Sequence, residues 1–264
     1  MPPVVLITGA SSGIGEALAL EYAARGHDVA LLARREDRLS AVATRVEGAG
    51  GRALPIRCDV RDDTSVKEAV ERAAAALGGL DTVVANAGFG VSARFDRLTL
   101  DDYRRQLETN VFGVLRTIQA SLPFLARSRG RLAIMGSVAS YVAAAGMSPY
   151  AMSKFAVRAL ADSLREEVRP AGVSVTLISP GFVDSEIRRI DRAGVFREDA
   201  PEPVPSWLRV PTPRAARSIA RAIDRRRPEA VITAHGKAMV LLARHTPGTI
   251  RLLTRILAPK VRKV

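Results

Sequence analysis

The chain alternates between short, continuously apolar runs and longer stretches in which apolar side chains return every three or four positions. "VVLIT" (4–8) has the length and composition of a strand buried on both faces, while "GIGEALALEYAARG", closed by Gly26, has the helical period. The alternation continues through "DVALLAR" (28–34), a helix from Glu36 to Glu47, "RALPIRCDV" (52–60), a helix from Asp63 to Leu77 capped by "DDTS", and "LDTVVANAG" (80–88). A long helix is predicted after Thr99, because "TLDD" sets a capping hydroxyl before acidic first-turn residues that complement the helix dipole. "GRLAIMGS" (130–137), a helix through "SPYAMSKFAVRALADSL" (148–164), "VSVTLIS" (173–179) and "EAVIT" (229–233) complete the series. Strands alternating with helices predict an α/β fold: a doubly wound parallel sheet of about seven strands with helices on both faces. No internal repeat, low-complexity linker or break in composition divides the chain, so a single domain over 1–264 is expected.

Composition narrows the function classes. At 264 residues, 47% hydrophobic and 25% charged, the chain is ordinary for one soluble α/β domain. Cys58 is its single cysteine, so no internal disulfide can form, and a reducing cytoplasm is the natural setting. His27, His235 and His245 share no metal-ligand spacing with it, so no metal site is expected. "MPPVVLITGA" lacks the basic n-region of a secretory signal, and no apolar run is long enough to span a bilayer.

The formal charge of +13 comes mostly from arginine, since lysine stands only at positions 67, 154, 237, 260 and 263. The arginines are dispersed and no aromatic side chains interleave with them, which argues against nucleic acid. Solvated helix faces account for the charge simply; attraction to anionic lipid or to an acidic carrier protein are the sharper alternatives.

The first strand runs into "TGASSGIG", with Gly9, Gly13 and Gly15 at the turn into the first helix. Glycine there lets the backbone approach a pyrophosphate, and a helix N-terminus offers free amides and partial positive charge. An acidic residue at the end of strand two would favour the free ribose of NAD. This chain has Ala33, Arg34 and Arg35, whose guanidinium groups suit the 2′-phosphate of NADP(H).

"TGASSGIG", "NAG" at 86–88, Asn110, Ser137, Tyr150-x-x-x-Lys154 and "PG" at 180–181 follow one another in an order that resembles the short-chain dehydrogenase/reductase family. The resemblance is dense over about 4–185, with only a generic helix and strand beyond, and implies a Rossmann-type oxidoreductase that assembles as a homodimer or homotetramer. It implies that Gly9, Ser11, Ser12, Gly13, Ile14 and Gly15 cradle the cofactor diphosphate and adenosine ribose, and that Arg34 and Arg35 hold the 2′-phosphate. Asp59 and Val60 would border the adenine; Asn86, Ala87 and Gly88 would pass behind the cofactor; Pro180, Gly181, Val183 and Ser185 would flank the nicotinamide. Two positions depart from the family's habit: Ala85 stands where a further asparagine is frequent, and Ser185 where threonine is.

The implied reaction is hydride transfer between a nicotinamide and a carbonyl or secondary alcohol. Tyr150 would donate the proton in reduction and accept it in oxidation, although a free tyrosine, with a pKa of about 10, needs help at neutral pH. Lys154, one helical turn on, would stabilise the phenolate and bind the nicotinamide ribose. Ser137 would bond the substrate oxygen, and Asn110 would hold a water linking Lys154 to solvent.

The substrate is expected at the loops 89–96 and 138–148 and under a lid at about 182–211, whose apolar content points to a medium or large apolar molecule. Arg94 and Arg188 are the cations that would suit an acid instead. The extension at about 236–264, broken at "TPG", reads as two amphipathic pieces that either dock on the domain or contact a membrane surface. A redox sensor that binds dinucleotide without turnover, and a reductase of carrier-protein ketoacyl groups, are the competing functions. A sensor could dispense with Tyr150 and Lys154, and this chain keeps both.

Overall fold

A computed structural model describes residues 1–190, 195–199, 202 and 204–257. Part of the expected lid (191–194, 200, 201 and 203) and the basic end of the C-terminal extension (258–264) lie outside the described residues. Seven strands, β1 (Val4–Thr8), β2 (Asp28–Ala33), β3 (Ala53–Arg57), β4 (Thr82–Ala85), β5 (Arg131–Met135), β6 (Ser174–Ser179) and β7 (Glu229–Val231), form one sheet. Every pairing is parallel, in the order β3-β2-β1-β4-β5-β6-β7.

The inner strands are buried on both faces and so are largely apolar, with neighbouring side chains serving different layers, while the edge strands β3 and β7 are partly exposed. Val5 and Ile7 of β1 pack with Leu18 and Tyr22 of α1 (Gly13–Ala23), Leu39 of α2 (Glu36–Gly48) and Ile219 of α7 (Thr212–Asp224). Val4 and Leu6 join the other layer, with Val70 of α3 (Asp63–Leu77), Ile118 of α5 (Gly113–Ser128) and Val157 of α6 (Ser148–Val168). The strand order reverses between β1 and β4, which parts the connecting segments and opens a crevice at their carboxyl ends.

The two helix starts predicted from "DDTS" and "TLDD" carry the expected caps. Asp62 accepts the Ser65 amide at 2.6 Å, and Thr99 forms a reciprocal capping box with Asp102 at the start of α4 (Leu100–Leu107). The long helix after Thr99 is not uniform, because a π-helical turn, Glu108–Phe112, joins α4 to α5. The extension breaks at "TPG" into α8 (Ala234–His245) and α9 (Pro247–Leu257), which bury Val240 and Ile250 in the α6-side layer. Among the described residues no helix is long and apolar enough to cross a membrane.

Candidate active site

The crevice is a cleft of about 470 Å³. At its floor the turn after β1 meets the end of β4. Gly9 has φ +68°, and a Cβ there would stand 2.8 Å from the Ala87 Cα. A Cβ on Gly15 would meet the Gly9 carbonyl and come within 2.7 Å of Asn86 Nδ2, so the turn tolerates glycine alone at both points. Asn86 Nδ2 donates to the carbonyls of Thr8 at 2.9 Å and Gly9 at 3.3 Å. Thr8 Oγ1 in turn accepts the amides of Asn86 and Ala87 at 3.0 and 3.1 Å. The turn is thus clamped by the neighbouring strand.

Ser12, the N-cap of α1, makes no side-chain cap bond. Its hydroxyl and that of Ser11 instead accept hydrogen bonds from Arg35 Nη2 at 3.0 and 3.1 Å. The helix N-terminus therefore keeps its first-turn amides and dipole for an anion. Arg34 is exposed beside it, and Arg61 holds the Asp59 carboxyl below its usual range. A bare glycine turn, a helix start free of side-chain caps and two guanidinium groups fit the diphosphate of a nicotinamide dinucleotide.

The other end of the cleft is built on α6. Lys154 shares a stripe with Val157, Ala161, Leu164 and Val168, all buried, so the pattern that docks the helix carries the ammonium beneath the sheet edge. There Nζ donates to the Met135 carbonyl at 2.7 Å, and burial lowers its pKa to about 8. Tyr150, one turn earlier, opens onto the cleft with its ring centroid 5.7 Å from that Nζ. Burial of the phenol raises its pKa, opposed by the Ser137 hydroxyl and, more weakly, by the Arg188 charge. The net depression expected from Lys154 is therefore not seen, because the ammonium is turned toward Met135.

Ser137 caps the short 3-10 turn Val138–Ser140, accepting the Ala139 amide at 3.1 Å, and lines the cleft beside Tyr150. Pro180 and Gly181 also line it. The segment after them is tied down by His235, whose Nε2 accepts the Phe182 amide at 3.0 Å and whose ring stacks on Phe182. Accepting that bond requires Nε2 without a proton, and burial lowers the His235 pKa in the same sense.

Of the residues the sequence nominated, Gly9, Ser11, Ser12, Gly13, Ile14, Arg34, Arg35, Asp59, Val60, Asn86, Ala87, Gly88, Ser137, Tyr150, Lys154, Pro180, Gly181, Val183 and Ser185 line this one cleft. Gly15 and Asn110 stand behind it. Asn110 is buried on the π-helical turn, where Oδ1 accepts the Phe89 amide at 3.0 Å and Nδ2 donates to the Phe89 carbonyl at 2.9 Å and Ser153 Oγ at 3.1 Å. Both hydrogens of its amide are committed, so the side chain acts here as a clamp on the loop after β4 and donates no further bond to water.

Of the expected substrate loops, 89–96 contributes Phe89, and the stretch after β6 contributes Ile187, Arg188, Ile190, Val195 and Phe196. Nothing from 138–148 lines the cleft: Tyr141 is buried instead, with the Arg158 guanidinium 4.2 Å from its ring centroid. Arg94 pairs with Asp96 on the surface and Trp207 is largely exposed, both away from the cleft. Arg188 does line it, but paired with Glu202 through Nε at 2.6 Å. Sequence reading missed Met135, whose backbone carbonyl holds Lys154, and Thr8 and Ser153, whose hydroxyls serve as clamps. Only the parallel register of β1 with β4 and the one-turn spacing along α6 hint at them.

The sequence profile described as short chain dehydrogenase matches residues 3–194. An "uncharacterized oxidoreductase" of Myxococcus xanthus is 37% identical over 225 residues, covering 78% of this chain and 89% of that protein. An 11-beta-hydroxysteroid dehydrogenase A of Sesamum indicum is 38% identical over 186 residues, or 70% of this chain, which spans only 53% of that protein's length. Among solved structures, an alcohol dehydrogenase from Thermococcus sibiricus complexed with 5-hydroxy-NADP superposes with a TM-score of 0.77 at 29% identity, covering 88% of this chain and 96% of that one.

Proposed function

The chain belongs to the short-chain dehydrogenase family, oxidoreductases acting between CH–OH and C=O on an NAD(P)-binding fold, and from that premise we propose an NADP(H)-preferring enzyme for a medium or large apolar ketone or alcohol. The observation that carries this reading is the convergence of the glycine turn, Arg34 and Arg35 with Ser137, Tyr150 and Lys154 in a single cleft. When bound, the dinucleotide supplies the hydride-transfer chemistry. The first-turn amides of α1 hold its diphosphate, Arg34 and Arg35 its 2′-phosphate, Tyr150 and Lys154 its nicotinamide ribose, and the Pro180–Ser185 stretch its nicotinamide.

Ser137 Oγ donates a hydrogen bond to the substrate oxygen. Tyr150 Oη gives that oxygen a proton in reduction and takes one back in oxidation. A raised pKa keeps Tyr150 protonated at neutral pH, which suits the donor role. Lys154, with its pKa at about 8, stays mainly an ammonium there, and it offsets the phenolate charge that follows proton release only on turning from the Met135 carbonyl toward Tyr150.

Phe89, Ile187, Ile190, Val195 and Phe196 support an apolar substrate, and the Arg188–Glu202 pair leaves little uncompensated charge for an acid. The exposed Phe112, Met152 and Phe155, on the π-helical turn and the adjoining part of α6, offer a surface for a homo-oligomer. Cofactor titration tests the dinucleotide assignment. Arg34→Ala should weaken NADPH binding by about tenfold while NADH changes by less than about twofold. Equal losses for the two would remove the 2′-phosphate argument.

A further inference from the structure

At the adenosine end of the cleft a carboxylate already stands among the arginines. Glu186 begins a short 3-10 turn, Glu186–Arg189, beyond β6. Its two carboxylate oxygens accept from Arg38 Nη1 at 2.8 and 3.0 Å, and Oε2 lies 3.7 Å from Arg35 Nη2. That same Arg35 nitrogen donates to the Ser11 and Ser12 hydroxyls of the glycine turn. The Arg38 guanidinium also lies over the Phe196 ring, 5.6 Å from Cζ to centroid. Glu186, Arg35 and Ser12 all line the cleft.

Three guanidinium groups, Arg34, Arg35 and Arg38, gather where β2 passes into α2. Arg38 lies in the first turn of that helix, where the dipole opposes positive charge. After burial, the neighbouring Arg38 charge is the largest influence holding the Arg35 pKa down, with Glu186 acting against it. Such a cluster calls for an anion, and in this structure Glu186 is the one between Arg35 and Arg38. A 2′-phosphate carries more charge and more acceptor oxygens than a carboxylate; of the two arginines assigned to it, Arg34 and Arg35, the second is the one beside Glu186, and Arg38 holds that carboxylate in place.

We propose that Glu186 is a specificity-determining residue, a carboxylate anchored on Arg38 that competes with the dinucleotide 2′-phosphate for Arg35 and so sets the margin between phosphorylated and unphosphorylated cofactor. The proposal rests on the NADP(H) reading above. A ligand without the 2′-phosphate binds with Glu186 left on its arginines. A ligand with it must displace the carboxylate, and the margin in its favour is reduced by the strength of that ion pair. Because Ile187 and Arg188 follow Glu186 directly and line the substrate end of the cleft, the displacement is felt there as well.

Titration calorimetry on the full chain at low salt tests this with 2′,5′-ADP against 5′-AMP and NADPH against NADH. The proteins are wild type, Glu186→Gln, and Glu36→Gln as a charge-matched control, since Glu36 faces Arg57 instead at 3.9 Å. Glu186→Gln should tighten 2′,5′-ADP and NADPH by about fivefold, the scale of a partly exposed ion pair, and move 5′-AMP and NADH by less than about twofold. Glu36→Gln should leave all four within about twofold. Unchanged or weaker 2′,5′-ADP binding in Glu186→Gln, or equal tightening of 5′-AMP, overturns the proposal. Wild type binding NADH more tightly than NADPH overturns the cofactor reading instead, so the two failures are told apart.

Discussion

Lys154 shows how one residue can be pulled between two requirements. Its place on the apolar stripe of α6 forces the amine under the sheet, where desolvation brings its pKa down from 10.5 to about 8. Between those values the unfolded chain holds a proton that the fold has released. Stability contributed by this residue therefore rises with pH across that window, and below about 8 the fold bears the whole cost of the buried charge. Lys154→Met should accordingly be more stable than wild type at pH 7, by on the order of 2–3 kcal/mol, less the lost bond to Met135. The difference should shrink between about pH 8 and pH 10.5. Denaturant midpoints at pH 7 and pH 10 measure it, and a gap that does not change with pH would contradict the assignment. The charge is thus kept at a cost in stability, as expected of a group that serves the reaction.

At the scale of elements, the π-helical turn between α4 and α5 places Asn110 where it can hold the loop after β4. Truncating it removes three hydrogen bonds and orphans the Phe89 amide, while the Phe89 carbonyl keeps Gln106 Nε2 at 2.8 Å and Ser153 Oγ still donates to the Tyr150 carbonyl at 2.7 Å. Asn110→Ala should cost about 2–4 kcal/mol in urea unfolding, whereas a loss under about 0.5 kcal/mol would show that the clamp is not structural. This turn also marks what could be read beforehand. The strands were legible because parallel strands buried on both faces are short apolar runs, although 52–60 and 80–88 ran past the ends of β3 and β4 into functional loops. The caps at Asp62 and Thr99 were legible because their chemistry is local.

A π-turn has no compositional signature, since it is a change in hydrogen-bond register and not in residue type. Asn110 could be named from its place among the motifs, but the partners that commit its amide could not. The contact between Arg38 and Glu186 spans 148 positions and joins a helix start to a loop, so no local pattern announces it. The packing of 138–148 is hidden from the sequence for a related reason. Its low charge suits a substrate wall and a buried turn equally; 138–142 is buried, with Tyr141 under Arg158, and 143–145 is exposed away from the cleft.

Across the whole molecule, the sheet sets the cofactor end against the catalytic end by reversing its strand order at β1 and β4, and the helices on its two faces leave the carboxyl edge open. The +13 charge is partly spent within this arrangement, as Arg38, Arg188 and Arg209 each meet a carboxylate near the cleft. The apolar group of Phe112, Met152 and Phe155 lies outside it, exposed, and is the self-association surface proposed above. Phe155→Glu should shift the mass measured by light scattering toward the monomer, and an unchanged mass would place the interface elsewhere.

The central claim is that Tyr150 passes a proton to the oxygen of an apolar carbonyl substrate in this cleft. The most direct measurement is NADPH oxidation over a panel of cyclic and long-chain ketones, comparing wild type with Tyr150→Phe after showing that both bind NADPH. Turnover by wild type and a loss of about 100-fold or more in kcat for the variant is the expected result. Equal turnover by the two proteins would contradict it.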